Sequence, residues 1–227
     1  METIPFYVQL FFCLTVLLAL FIFFKATHYS KPTMAIIGAW LLIQSLVSLN
    51  GFYTVTDTLP PRFVLVLLPP LLLIVFLFAG KKGRGYIDCL DAGMLTLFHF
   101  IRLPVEIVLF WLFLHKGVPE LMTFEGRNFD VLSGLSAPFI YYFGFVKKKL
   151  SNRFLLAWNF SCLALLLNII VNAILAVPTP FQQFGFDQPN LAVLHFPFVL
   201  LPAVLVPAVL FAHLVSIRQL LKRDTGT

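Results

Sequence analysis

The sequence is short of charge. Only 11% of its 227 residues are Asp, Glu, Lys or Arg, whereas 60% are hydrophobic, and the mean hydropathy is +0.95. A soluble domain carries about 25% charged residues, so the chain cannot coat a water-facing surface of its size. No loop between apolar runs is long enough for a separate folded domain, so any function must sit among the helices. Cysteine is scarce and odd in number: Cys13, Cys89 and Cys162 lie in or beside apolar runs. They read as small buried residues rather than a disulfide framework or a metal site. No lysine lies inside an apolar run, so a retinal Schiff base has no attachment point. No Gly-rich phosphate loop or nucleophile elbow is present. The histidines (His28, His99, His115, His195, His213) contain no i, i+4 pair, and no cofactor is expected. The first apolar run has no positive segment before it and differs from a signal peptide. The Asn159-Phe160-Ser161 match falls inside an apolar run and should be unusable for glycosylation.

What is present is a series of membrane-length apolar runs. A bilayer core needs about 20 apolar residues in helix. Spans are expected near 4–24, 34–53, 63–80, 92–115, 131–146, 154–177 and 191–216. The fold class expected is therefore an all-α polytopic membrane protein, a single domain over 1–227 with seven transmembrane helices. The net charge is +6, which in a soluble protein would raise nucleic-acid binding. Here the basic residues alternate between helix ends, as membrane orientation requires. With the N-terminus outside, the cytoplasmic segments hold Lys25, Lys31, Lys81, Lys82, Arg84, Lys147, Lys148, Lys149, Arg153, Arg218, Lys222 and Arg223. The outer loops hold only Arg62, Lys116 and Arg127, and Arg102 is left within a span. Most acids take the opposite side: Glu2, Asp57, Glu120, Glu125, Asp130 and Asp187. The expected location is the plasma membrane with a cytoplasmic C-terminus. The expected partners are membrane lipids and a small ligand, not nucleic acid; the oligomeric state is left open.

An internal duplication is also legible. A shift of 118 residues superposes Ala39-Trp40 on Ala157-Trp158, Leu49-Asn50 on Leu167-Asn168 and Pro60 on Pro178. After an insertion of 15 residues, a shift of 133 superposes Pro69 on Pro202 and Leu77-Phe78-Ala79 on Leu210-Phe211-Ala212. The Trp and Asn matches carry most weight, because the chain has three Trp in all. Two parallel repeats, 1–80 and 131–216, would flank a linker helix at 92–115. This three-plus-one-plus-three layout resembles that of the SWEET sugar transporters, which are built from parallel repeats. The resemblance is one of layout; the Pro-Gln motifs of that family are absent.

Polar groups inside the spans mark the candidate sites. Asp88, Asp91, His99, Arg102 and Glu106 fall within an arc of roughly 80° on the fourth helix. A charge near the bilayer centre costs about 2.5–3.5 kcal/mol on insertion scales, so this stripe should face the bundle. Arg102 and Glu106, one turn apart, are expected to pair, and Pro104 leaves the Phe100 carbonyl without its usual donor. Such a pair, with His99, reads as a proton or anion site that gates motion, or as an ion pair locking neighbouring helices. Asn50, Asn168 and Asn172 are candidate substrate-binding groups, with Trp40 and Trp158 as apolar walls; interhelical hydrogen bonding is the plainer role for each. Prolines punctuate the third and seventh helices at Pro69, Pro70, Pro197, Pro202 and Pro207, as hinges would.

The expected function is binding or transport of a small molecule or lipid-like solute between the two three-helix halves. One alternative is an intramembrane metal-dependent hydrolase acting on lipids. It would need His28, His99 and His213 to converge on zinc, as in seven-span membrane hydrolases. Another is a receptor-like or assembly subunit without catalysis. Whether the chain is an enzyme is left open by the residues.

Overall fold

The computed structural model describes residues 3–225, so Glu2 lies outside the described residues. Among the described residues the chain is all-helical, without a strand. The main helices are α1 (Phe6–Ala26), α2 (Lys31–Leu49), α3 (Val64–Ala79), α4 (Lys81–Asp88), α5 (Ala92–Leu114), α6 (Asp130–Val146), α7 (Asn152–Leu175) and α8 (Leu201–Arg223). Five of them, α1, α2, α5, α7 and α8, are long and apolar enough to cross a membrane. They account for the first, second, fourth, sixth and seventh expected spans. The third is α3, bent by 93° from α4, and the fifth is the shorter α6.

Local chemistry explains the boundaries. Ser30 caps α2 by accepting from the Thr33 N–H, and Pro32 sits in the first turn where its missing N–H costs nothing. Asp91 caps α5, its Oδ1 accepting from Met94 N–H at 2.9 Å. Ser151 does the same for α7 through Phe154 N–H at 3.2 Å. The corner between α3 and α4 depends on Gly83. A Cβ there would lie 2.3 Å from the Leu77 carbonyl oxygen, so any larger residue would force the two helices apart.

The seventh apolar run departs from expectation. Its helix begins at Leu201, not near 191. Residues Ala192–Leu194 form a 3-10 turn, and Leu201–Leu205 a π-helical turn leading into the α-helix. Pro197 and Pro202 lack the N–H groups that a helix through this stretch would use. The non-helical segment is nonetheless buried: Val193, Leu194, Phe198, Val199 and Leu200 are all within the core. Its backbone is satisfied locally, and Ser48 donates to the Leu194 carbonyl from α2. Irregular backbone at such a position is tolerated because protein, not lipid, surrounds it.

The helix ends gather into two groups. One holds Lys25, Lys31, α4, the Lys147–Lys149 run and the end of α8. There Asp91 N–H donates to the Ala26 carbonyl, and Gln219 donates to the Ile87 and Leu90 carbonyls. Leu150, Leu155 and Leu220 pack together at the same end. At the far end the loops 115–129 and 176–200 are stitched to each other. Leu191 and Ala192 N–H donate to the Gly117 carbonyl at 3.0 and 2.8 Å, and Gln188 donates to the Phe113 and Val118 carbonyls. The Arg127 guanidinium lies over Phe184. These contacts hold the two loops together at that end of the helices.

At the basic end Asp88 joins α4 to α8. It accepts from Arg218 Nε at 2.9 Å and from Arg218 Nη2 at 3.2 Å, and also from the Lys222 ammonium. The Arg218 hydrogen bonds hold the Asp88 carboxyl below the usual carboxylate range, against the opposing effect of burial. A depressed folded-state pKa contributes stability above the unfolded value and loses it as pH falls through the folded value. Asp88→Asn should therefore lower stability by about 1 kcal/mol at neutral pH, as for an exposed ion-pair network. The gap from wild type should close as pH falls below about 4. Thermal unfolding of both proteins across a pH series checks this.

Candidate functional site

The stripe on α5 points inward. His99 is 0% exposed, and Arg102 and Glu106 are each 3% exposed. Asp88 and Asp91, at the start of the stripe, serve instead as the α4–α8 tie and the α5 cap. The helix narrows to a 3-10 turn at His99–Ile101, the turn whose Phe100 carbonyl has no N–H donor at Pro104. This narrowing falls at the point where the buried polar side chains cluster.

Arg102 is the hub. Its Nη1 lies 3.5 Å from Asp130 Oδ1 on α6, and Nη1 and Nη2 donate to the Cys162 carbonyl of α7 at 3.3 and 3.5 Å. The guanidinium thus ties three helices. Sequence spacing paired it with Glu106. The carboxylate it meets within 4 Å is Asp130, because α6 runs close beside α5 at Gly134. A Cβ on Gly134 would stand 2.8 Å from the Leu103 nitrogen. Glu106 Oε1 instead accepts from Asn128 Nδ2, which also donates to the Met122 carbonyl at 3.0 Å. Asn128 Oδ1 accepts from Asp130 N–H at 3.1 Å. The two residues thus form an Asx turn at the entry to α6.

Towards the basic end the cluster continues through aromatic and imidazole rings. His99 and His213 of α8 stack with centroids 3.8 Å apart. Trp158 of α7 lies edge-on to His99 at 5.6 Å, and its indole N–H donates to Ser136 Oγ at 3.0 Å. Asn159 Nδ2 is committed to the Leu155 carbonyl at 2.9 Å. Asn159 Oδ1 therefore accepts from His213 Nδ1–H at 2.9 Å. His28 is not part of this group: it is exposed at the basic end, its Nε2 2.9 Å from the Cys89 carbonyl oxygen. Among the described residues no group of three His, Cys, Asp or Glu is arranged to hold a metal ion.

The other sequence-derived candidates are dispersed. Asn50 is exposed and donates to the Leu46 carbonyl at the end of α2. Asn168 donates to the Arg127 carbonyl at 2.9 Å, securing the 115–129 loop. Asn172 is buried and donates back to Asn168. Trp40 donates from its indole N–H to the Ala203 carbonyl at 2.9 Å, an acceptor left open because Pro207, four residues on, has no N–H.

Two cavities flank the cluster. One, about 510 Å³, lies between α2, α3 and α8 in the half towards the basic end, lined by Trp40, Ile37, Pro69, Pro70, Leu73 and Ala208 among others. Its rim reaches the surface at Ile36 and Leu73, both exposed. Thr33 Oγ1 and the Tyr86 hydroxyl, 3.0 Å apart, close its basic end. The second, about 80 Å³, lies towards the far end, where Glu106, Asn128, Asp130 and Asn190 meet apolar walls such as Leu109, Ile169 and Leu201. Asp130, Asn128 and Asn190 were not singled out as a site in the sequence, and His213 entered only as one of three histidines of the zinc alternative. The Asn128-Phe129-Asp130 spacing at a helix entry was the readable hint for the first two. Of the three histidines grouped in that alternative, His99 and His213 meet and His28 does not.

A scan against protein-family models, a search of curated proteins and a search of solved structures find no match to the chain.

Removing one partner of a buried ion pair costs about 3–5 kcal/mol when it strands the other charge. Arg102→Met strands two carboxylates and should lower stability by about that amount. Asp130→Asn leaves Arg102 with Glu106 as counter-charge and should cost clearly less. Denaturant or thermal unfolding of the purified variants tests the ranking; equal losses would show that Arg102 is not the hub.

Proposed function

We propose that the chain is a seven-pass membrane protein that binds, and moves within or across the bilayer, a lipid-like small molecule held in the cleft between α2, α3 and α8. The cleft is the observation that carries this reading. Its walls are almost wholly apolar, its volume is about 510 Å³, and its rim is formed by exposed apolar residues. Ligand sites of roughly 300–1,000 Å³ with apolar walls and few polar groups are the usual form for small molecules. Here the polar groups are at one end, Thr33 and Tyr86, where Lys31, Lys81 and Arg84 also lie in sequence. An amphiphile would place its chain against Trp40 and Leu73 and its head at that basic end.

Three prolines line the cleft: Pro69, Pro70 and Pro207. Prolines in membrane helices free carbonyls and permit bending. The Trp40–Ala203 hydrogen bond uses one such carbonyl to hold α2 against α8 beside the cleft. Breaking it would let α2 swing, which is a route for lateral entry. The cluster of His99, Arg102 and Glu106 supplies the charge rearrangement that such motion would couple to. Trp158 supports the imidazole pair rather than the ligand; Asn168 secures the 115–129 loop, Asn172 braces Asn168, and Asn50 bonds within the end of α2.

The alternation of helix direction and the gathering of basic residues at one end support seven crossings with the N-terminus outside. A cysteine at Lys148 should then react with impermeant thiol reagents only from the cytoplasmic side, and one at Glu125 only from outside. For the ligand, native mass spectrometry of detergent-purified protein should show a retained lipid-like mass. Ala208→Trp, which fills the cleft, should reduce that occupancy at least about fivefold, and Leu10→Trp on the exposed face of α1 should not. Retention unchanged in Ala208→Trp would remove the cleft as the site.

A further inference from the structure

We infer that the far-end cavity is a binding site for a small monovalent cation, held by Glu106 Oε2, Asp130 Oδ1 and Asn190 Oδ1. Three separate elements bring these residues to the wall of one cavity: Glu106 from α5, Asp130 from the start of α6, and Asn190 from the 176–200 loop. All three residues are at least nine-tenths buried, at 3%, 5% and 0% exposure. None of the three oxygens accepts a hydrogen bond among the described residues. Asp130 Oδ1 has only the 3.5 Å contact to Arg102.

The cavity wall offers these oxygens no donor. The Asn128 amide nitrogen is committed to Glu106 Oε1 and the Met122 carbonyl. The Asn190 amide nitrogen is committed to the Ala173 carbonyl at 3.1 Å. The remaining lining side chains are hydrocarbon, sulfur or proline. Buried acceptors without donors are costly, and a cavity that presents only acceptors is complementary to a cation. Oxygen-only ligation of this kind suits hard cations.

Charge selects the valence. Arg102 neutralises one of the two carboxylates, and its Nη1 and Nη2 also donate to the Cys162 carbonyl. With both carboxylates ionised the cluster carries one uncompensated negative charge within apolar surroundings, where such a charge is expensive. A monovalent cation cancels it; a divalent one would leave an excess of the opposite sign. The volume, about 80 Å³, exceeds the roughly 10–15 Å³ that a single water requires, so the ion could enter with part of its hydration shell.

The inference is independent of the lipid-like ligand, because the cavity shares no wall residue with the cleft and binding can be read on the purified protein alone. The experiment is thermal unfolding of the full-length protein in detergent at constant ionic strength. Lithium, sodium, potassium or methylammonium chloride replaces N-methylglucamine chloride, whose cation is too large to enter. At least one small cation should raise the midpoint with a saturable dependence on its concentration, as mass action requires. In Glu106→Gln and in Asn190→Leu the apparent affinity should fall at least about tenfold, with helical content by circular dichroism unchanged. Asp130→Asn stands in if Glu106→Gln fails to fold. A midpoint indifferent to cation identity overturns the proposal. So does a response that follows pH alone, which would mean that a proton answers the charge. An undiminished response in the folded variants would overturn it as well.

Discussion

A guanidinium in the middle of an apolar bundle sets the terms for the rest of this structure. Arg102 cannot lose its charge and cannot be left to hydrocarbon, so the helices around it must supply acceptors. Asp130 and the Cys162 carbonyl do so, and in doing so they fix the relative positions of α5, α6 and α7. Gly134 follows from the same demand, since α6 must approach α5 closely enough for a short aspartate side chain to reach. Glu106 is then displaced from its expected partner and turned towards Asn128. The far-end cavity is a consequence of that displacement: it exists where two carboxylates share one cation.

Proline is the second organiser, acting through the backbone. Each interior proline withdraws one N–H and opens one carbonyl four residues back. Pro207 opens Ala203 to the Trp40 indole, and Pro104 opens Phe100 beside the 3-10 turn that carries His99. Pro197 and Pro202 delay the start of α8 and leave a buried, irregular segment that the two far-end loops cover. The same residue type therefore shapes the wall of the cleft, the site of the imidazole stack and the seal over the bundle. This is cheaper than it would be in an isolated helix, because neighbouring side chains such as Trp40 and Ser48 replace some of the missing donors.

The sequence made the architecture readable where physics is local or bulk. Apolar run length located the helices, basic residues sorted their ends, and the 80° stripe placed His99, Arg102 and Glu106 inside. It misread what depends on contact between elements far apart in the chain. The i, i+4 spacing made Glu106 the natural partner of Arg102, but a guanidinium reaches in any direction and met Asp130 first. The asparagines looked like ligands because polar groups in apolar runs are conspicuous. Asn50 closes the end of α2 and Asn168 lies within α7, both exposed and each donating to a backbone carbonyl. His213 carried no periodic signal at all, since its partner His99 is more than a hundred residues away. Apolar periodicity extended the last helix through 191–200 because a buried irregular segment has the same composition as a buried helix.

The two cavities divide the molecule by chemistry. The large one is apolar, opens to the side and lies near the basic end. The small one sets a few acceptors among apolar walls and lies beneath the stitched loops at the far end. Both have walls on α8, and the buried His99, His213 and Arg102 belong to the same core. The Trp40–Ala203 bond controls the wall of one cavity and the Arg102–Asp130 contact the wall of the other, and α8 with α5 connects the two through the stacked imidazoles. Any change in the charge held near Glu106 and Asp130 must alter the pull on Arg102, whose alternative partners are few. Arg102 is the shared element, touching Asp130 of α6 on one side and the Cys162 carbonyl of α7 on the other.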